Sequence, residues 1–324
     1  MTSSTSTPNL TKPLATDATA GDAYWLLNQR MRLLATADQT AGAYALVETT
    51  IPPGDGPPPH VHVGEDELFY VLDGELALVL GDRRLRAAAG DAVFLPRGVP
   101  HTFANPGTRP AKFLVLSTPG GFDRFVAAVG TRTDPATSFD PPAVTPAAVE
   151  AMIAGAARAG IEMRFDHRAD VDADLPGRTE QVWLLGQLAR LKLTAADTNG
   201  QFSVMEVVTP PGSGVPPHRH VVEDELFYVL AGTYAVEVDG RREVVGPGAF
   251  LRVPRGAWHA FTNVGDTPAR MLDVHTPGGF EAFARELGTP CADPDAGPPT
   301  APPDMDRVVG TILKHGMELP ARAG

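Results

Sequence analysis

A chain that repeats itself at constant spacing must fold the repeat twice, and this one repeats at an offset of 158 residues. Tyr24-Trp25-Leu26-Leu27 returns as Val182-Trp183-Leu184-Leu185. Asp66-Glu67-Leu68-Phe69-Tyr70-Val71-Leu72 returns as Asp224-Glu225-Leu226-Phe227-Tyr228-Val229-Leu230, and Thr118-Pro119-Gly120-Gly121-Phe122 as Thr276-Pro277-Gly278-Gly279-Phe280. A constant offset over about 100 residues leaves equal strand and loop lengths between the markers, so both copies take one fold.

The 324 residues are enough for two domains with cores of their own. Within each copy the apolar runs are short, such as Leu68 to Leu72, Leu76 to Leu80, Ala92 to Leu95 and Lys112 to Leu116, and Gly, Pro, Asp and Asn bound them. With 32 Pro and 33 Gly in the chain, this pattern predicts an all-β, antiparallel sandwich or barrel. A Pro-rich stretch follows each copy, at 134–146 and 290–303, and then one helical pattern. Val149, Met152, Ile153 and Ala156 have helical spacing, with Thr145 as N-cap, Pro146 in the first turn and Gly160 as C-cap. Met305, Val308, Val309, Ile312 and Gly316 repeat it at an offset of 156. The expected organisation is a disordered tail over 1–20, one domain over 21–167 and a second over 168–324, each ending in a helix.

A net charge of −12 gives no basic stripe for nucleic acid and disfavours an anionic membrane surface, which leaves small-molecule or protein partners, with a small-molecule substrate expected. The single cysteine, Cys291, excludes an intrachain disulfide and suits a reducing cytoplasm. The Ser/Thr/Ala-rich start has no secretory pattern, and no apolar run reaches the ~18 residues of a membrane span. A soluble cytoplasmic protein, monomeric or homodimeric, is the expectation.

His60 and His62 stand two apart on an expected strand and therefore face one side. Glu67 lies beyond a short polar loop, and a later segment brings His101. His218, His220, Glu225 and His259 repeat the set at identical spacings, so six of the nine histidines fall in two matching groups. Three imidazoles and one carboxylate suit Fe, Mn, Co, Ni or Cu and leave coordination positions open. His167, His275 and His315 lie outside the pattern and receive no role. Phe69 and Phe103 in the first copy, and Phe227 and Phe261 in the second, lie two residues from a ligand, as pocket walls or as core. Trp258, a further candidate pocket residue beside His259, stands where the first copy has Pro100, and Arg219 where it has Val61, so the surroundings of the two sites differ. Arg97 and Arg255 read as solvated turn residues or as contacts for an anionic substrate. Glu65, Asp66, Glu223 and Asp224 read as a solvated loop.

These residues resemble the cupin superfamily. The first half of its signature is Gly54-Asp-Gly-Pro-Pro-Pro-His60-Val-His62-Val-Gly-Glu-Asp-Glu67 through Gly74, and the second is Gly90-Asp-Ala-Val-Phe-Leu-Pro96-Arg-Gly98-Val-Pro-His101-Thr-Phe-Ala-Asn105. The second copy matches from Gly212 through Gly232 and from Gly248 through Asn263. The resemblance covers about residues 21 to 290 and implies two tandem double-stranded β-helix barrels of jelly-roll type, each holding one divalent transition metal. It also implies that Gly54, Gly74, Gly90 and Gly98 serve turns; Asn105 and Asn263 read as turn or strand-end residues and not as ligands. The wording around the sites looks most like bacterial quercetin 2,3-dioxygenase-like cupins. That likeness implies dioxygen-dependent cleavage of a flavonol or related enol, with Glu67 or Glu225 taking the enol proton. The alternatives are a metal-dependent isomerase, decarboxylase or tailoring oxygenase on another small molecule, and a non-catalytic binding protein.

Overall fold

The computed structural model describes residues 14–16, 20–169, 171–172, 175 and 179–321. It divides into two compact units, one over Thr19–Gly177 and one over Arg178–Gly324 that also takes in Thr11–Ala18. The boundary expected after residue 167 thus falls after Gly177. Val171–Asp172 pairs in parallel with Arg83 and Arg84, which keeps that stretch with the first unit. The expected tail also contains a strand, because Leu14–Thr16 pairs antiparallel with Phe250–Arg252. That addition covers what would otherwise be a sheet edge with open backbone groups. Residues 1–13 and 17–19 lie outside the described residues.

Each unit is two sheets closed over one another, antiparallel apart from the short Val171–Asp172 pairing, so the all-β expectation holds. In the first, the larger sheet runs in the order Thr131–Thr133, Ala23–Leu26, Gln29–Ala35, Ala45–Ile51, Ala111–Thr118, Asp66–Asp73, Ala92–Leu95. The smaller runs Ile161–Met163, His60–His62, His101–Ala104, Glu75–Leu80, Arg83–Ala88, Val171–Asp172. In the second unit Phe250–Val253, Asp224–Ala231, Ala269–Thr276, Ser203–Thr209, Gln187–Leu193 and Glu180–Leu184 form the body of the larger sheet. Arg241–Val245, Tyr234–Val238, His259–Asn263, Gly214–His220 and Met317–Glu318 form the smaller.

Alternation along the strands fills the interior. On Asp66–Asp73 the inward row begins with Glu67 and continues with Phe69 and Val71, which join Phe103 and Phe113 in the core. Phe69, Phe103 and Phe113 meet with ring centroids 5.1–5.3 Å apart, tilted or edge-on, as aromatic quadrupoles prefer. The loop leading into His60 lies close against this core. A Cβ on Gly56 would stand 1.8 Å from the carbonyl oxygen of Phe103, and one on Gly214 would stand 1.9 Å from that of Phe261, so neither position accepts another residue. Gly54, Gly74, Gly90 and Gly98 all have positive φ, which fits their expected turns. Asn105 and Asn263 clamp a turn: each amide donates to two main-chain carbonyls while its side-chain oxygen accepts from Gly107 or Gly265.

The described residues hold two α-helices per unit, where the sequence suggested one. Helix α1 (Phe122–Val129) directly follows the Thr-Pro-Gly-Gly-Phe marker, and α2 (Pro146–Arg158) is the expected helix. Thr145 caps α2 by accepting from the Ala148 N–H at 3.2 Å, with Pro146 at its start and Gly160, at φ 75°, just past its end. Helices α3 (Phe280–Leu287) and α4 (Met305–Lys314) repeat the pair. Asp304 caps α4 by accepting from Asp306 and Arg307 N–H. α1 and α3 escaped notice because each starts at a glycine with no side-chain cap.

Candidate metal centres

In the first barrel the smaller sheet supplies the histidines. His60 and His62 share a face of one strand, and His101 sits directly opposite His60 on the next. The facing sheet supplies Glu67, opposite Ser117 and Leu95. The second barrel repeats this, with His259 opposite His218 and Glu225 on Asp224–Ala231. The four donor atoms in each set lie within 4.8 Å of one another, and every residue is buried. The structure therefore brings together all eight of the residues that the sequence pattern selected.

Main-chain contacts aim the rings. Nδ1 of His60 faces the carbonyl of Pro58 at 3.0 Å and that of His101 faces Val99 at 3.1 Å. Nδ1 of His218 faces Pro216 at 3.0 Å and that of His259 faces Ala257 at 3.1 Å. A carbonyl at Nδ1 assigns the proton there and leaves the Nε2 lone pair to face inward. His62 uses a carboxylate instead, with Nδ1 3.3 Å from Oε2 of Glu65.

The inward atoms fit a cation. Nε2 of His62 and His101 lie 3.4 and 3.2 Å from Oε2 of Glu67, and those of His220 and His259 lie 3.6 and 2.7 Å from Oε2 of Glu225. Glu67 Oε2, His101 Nε2, His220 Nε2, Glu225 Oε2 and His259 Nε2 are buried without an aligned hydrogen bond. Buried polar atoms left this way are costly, and several converging on one point are relieved by a metal ion. The three-nitrogen, one-oxygen donor set suits first-row transition ions. Each cupin unit thus carries one potential metal site.

Protonation agrees with this. Burial, reinforced by neighbouring imidazoles, holds His60 and His218 down at about 3, so both are neutral and available as ligands. Burial alone would raise Glu67, but His62 and His101 override it and hold the carboxyl at about 2. Glu225 is likewise held well below the usual range, by His259 and His220 against its burial. Burial would lower His62 and His259, but the adjacent glutamate raises both.

The second barrel contains more than its sequence pattern announced. His275, which was given no role, is fully buried beside the metal set, with Nε2 3.4 Å from Oε1 of Glu225 and Nδ1 3.6 Å from Oδ1 of Asp273. It lies directly across the sheet from Glu225 and stacks on Phe280, centroids 3.9 Å apart and planes 5° apart. The first barrel has Ser117 and Val115 at these places. Burial pushes Asp273 up, and Asp273 and Glu225 together raise His275 against its own burial. Only the loss of repeat symmetry, an Asp-x-His where the first copy reads Val-x-Ser, could have flagged the pair. His167 and His315 stay outside both centres, on Gly81 and Glu286 respectively.

Each metal set opens on a cavity. The first, about 110 Å³, is lined by His60, His62, Glu67, Phe69 and Phe103, among mostly apolar neighbours from both sheets and helices α1 and α2. At its side Gln29 donates to Asp55 at 3.0 Å. The second, about 200 Å³, is lined by His218, Glu225, Asp273, Phe261 and Phe280 with apolar residues of α3 and α4. Phe227 is core instead of wall, edge-on to Phe261 at 5.6 Å. Trp258 does not line the cavity: it lies next to His259 in sequence, and neighbours on an extended chain point to opposite sides. There it carries the Arg219 guanidinium 4.8 Å above its ring, with Arg219 also paired to Glu318.

The acidic residues around each glutamate are not a solvated loop. Asp66, Glu223 and Asp224 are buried and Glu65 is half-buried. Asp66 accepts from the backbone and guanidinium of Arg97, and Asp224 accepts from those of Arg255 and from Arg252. Arg97 and Arg255 are thus structural clasps on the Pro-Arg-Gly turns. No helix among the described residues is long and apolar enough to cross a membrane.

The cupin domain family matches residues 47–117 and again 205–275. Quercetin 2,3-dioxygenase of Bacillus subtilis is 28% identical over 286 residues, which is 83% of this chain and 84% of that protein. Among solved structures, oxalate decarboxylase of Bacillus subtilis superposes with a TM-score of 0.56 at 16% identity, covering 82% of this chain and 76% of its own. The formate complex of Lactobacillus farciminis oxalate decarboxylase does so at 0.57 and 17% identity, covering 84% and 90%. At such identity the structural likeness speaks for the fold alone. Two cupin matches at the 158-residue offset, each enclosing the whole of one metal set, make this chain a two-domain cupin, a bicupin that resembles bacterial quercetin 2,3-dioxygenase-like cupins.

Proposed function

We propose that this protein is a metal-dependent dioxygenase that cleaves a flavonol or a related enol or aromatic small molecule. The observation that carries this reading is the complete three-histidine, one-glutamate set at the polar end of a mostly apolar cavity, present in both barrels. The resemblance to a quercetin 2,3-dioxygenase across both domains supports it.

A bound first-row ion would supply Lewis acidity and an electron route to dioxygen. The chain's own residues do the rest. Phe103 and Phe122 in the first cavity, and Phe261 and Phe280 in the second, hold a flat ring and keep water away. Glu67 and Glu225 face the same spaces and accept the enol proton, which moves from substrate oxygen to carboxylate. The ring then takes up both atoms of dioxygen and, for a flavonol, releases one carbon as carbon monoxide. Among the described residues no arginine or lysine lines either cavity, so a small dianion such as oxalate finds no side-chain cation among them. This favours an enol over the substrate of the structural neighbours.

The test is oxygen uptake, with loss of quercetin's visible absorbance, by apo-protein reconstituted separately with Fe(II), Mn, Co, Ni and Cu. Uptake with any one of them supports the reading. Silence with all of them, in protein shown to hold each ion, contradicts it. Retained turnover in the Glu67→Gln, Glu225→Gln double variant would remove the proton-accepting role.

A further inference from the structure

Among the described residues, Asp273 is the one acidic residue of the second cavity that is not part of the eight-residue metal pattern. It sits on Ala269–Thr276, whose partner strand carries Glu225 and Phe227, and its register places it across from Phe227. The side chain is buried, its Oδ1 has no hydrogen-bond partner, and it belongs to the cavity wall together with Glu225 and His218. His275 stands behind it, between Asp273 and Glu225, with its ring braced by Phe280. A carboxyl in a mostly apolar wall, with an imidazole 3.6 Å from Oδ1 but no aligned hydrogen bond there, carries a standing desolvation cost, and a ligand that brings a donor to it relieves that cost. The first barrel has Val115 at the equivalent point of its cavity wall, and its own wall acid, Asp55, already accepts from Gln29.

We propose that Asp273 is a ligand-anchoring residue of the second barrel: it hydrogen-bonds a hydroxyl of a hydroxylated aromatic molecule whose ring lies against Phe280 and Phe261. His275 is the positioning residue, which contacts both Asp273 and Glu225 and aims them. The inference rests on the oxygenase reading for its choice of ligand class, but it concerns binding and not turnover. Ligand recognition thereby differs between the barrels, although their metal sets match.

Binding is therefore measured without oxygen. Metal-replete full-length protein is titrated with quercetin, and separately with unsubstituted flavone, by calorimetry, and metal content is assayed in every variant. Asp273→Val, which installs the first barrel's residue, and Asp273→Asn, which keeps the shape, are compared with the parent. The expected result is a tenfold to hundredfold weaker affinity for one quercetin-binding event in Asp273→Val, with metal content and flavone affinity unchanged. Asp273→Asn falls between the two. Unchanged quercetin affinity in both variants overturns this inference alone. Loss of flavone and quercetin binding in parallel also overturns it, because a hydroxyl contact would be selective. If the binding changes appear as expected but no oxygen is consumed in air, the oxygenase reading fails and the anchor stands.

Discussion

The two barrels share every metal ligand and differ in what surrounds them. The first backs Glu67 with Ser117 and lines its cavity with Val115; the second backs Glu225 with His275 and adds Asp273. The difference extends into the sheet, where Phe94 of the first barrel corresponds to the buried Arg252 of the second, paired with Asp224 at 3.0 Å. Duplication kept the part that an ion constrains and released the part that a ligand or a packing partner constrains. A first coordination sphere is intolerant because four donors must converge on one point, whereas a wall residue answers only to what the cavity holds.

The comparison breaks first, and most visibly, at the metal. His259→Ala should empty the second site while the first keeps its ion, so metal content per chain falls by half. Equal loss from both sites would mean that the barrels do not bind independently. Next come the acidic clasps. Asp224→Asn strips a buried guanidinium of its carboxylate and should cost about 3 kcal/mol. Asp66→Asn faces a half-exposed Arg97 and should cost about 1 kcal/mol. Thermal denaturation of the two variants reads this asymmetry, and equal costs would count against it.

In chelated protein acid should act on both barrels through their matching histidines. His60 and His218 have folded values of about 3, below the free imidazole's 6.5. The unfolded chain therefore takes up protons that the folded one refuses. Each contributes stability above pH 6.5 that is lost as the pH falls from 6.5 towards 3, at about 1.4 kcal/mol per pH unit. His62 and His259, raised by their glutamates, contribute in the opposite sense, with stability present below 6.5 that fades as the pH rises. Melting curves of metal-free protein should show these sites contributing most near pH 6.5, and saturating metal should flatten the acid limb. The smallest effect concerns the outer face. Trp258→Leu removes the platform under Arg219 and should cost about 0.5–1 kcal/mol without changing metal content, since Trp258 lies outside the cavity.

The repeat made the fold and the eight ligands legible, because identical spacing between markers transmits identical loop lengths and strand alternation then fixes which side chains converge. What escaped depends on closure in three dimensions. His275 lies fifty residues beyond Glu225 in sequence and meets it only through strand pairing. Asp66 and Asp224 looked like loop acids until the Pro-Arg-Gly turns folded back onto them. Trp258 was placed by its adjacency to a ligand, yet adjacency on an extended chain means the opposite face. α1 and α3 begin without the capping residue that marks α2 and α4, so their apolar spacing alone, Phe122, Phe125 and Val126 in the first, carried the signal.

Oxygen uptake on quercetin, measured beside metal content in the parent, in His101→Ala, in His259→Ala and in the double variant, tests the central claim most directly. The account predicts uptake that follows the intact histidine-glutamate sets and disappears when both are broken. Uptake that persists in a folded double variant holding no metal would contradict it.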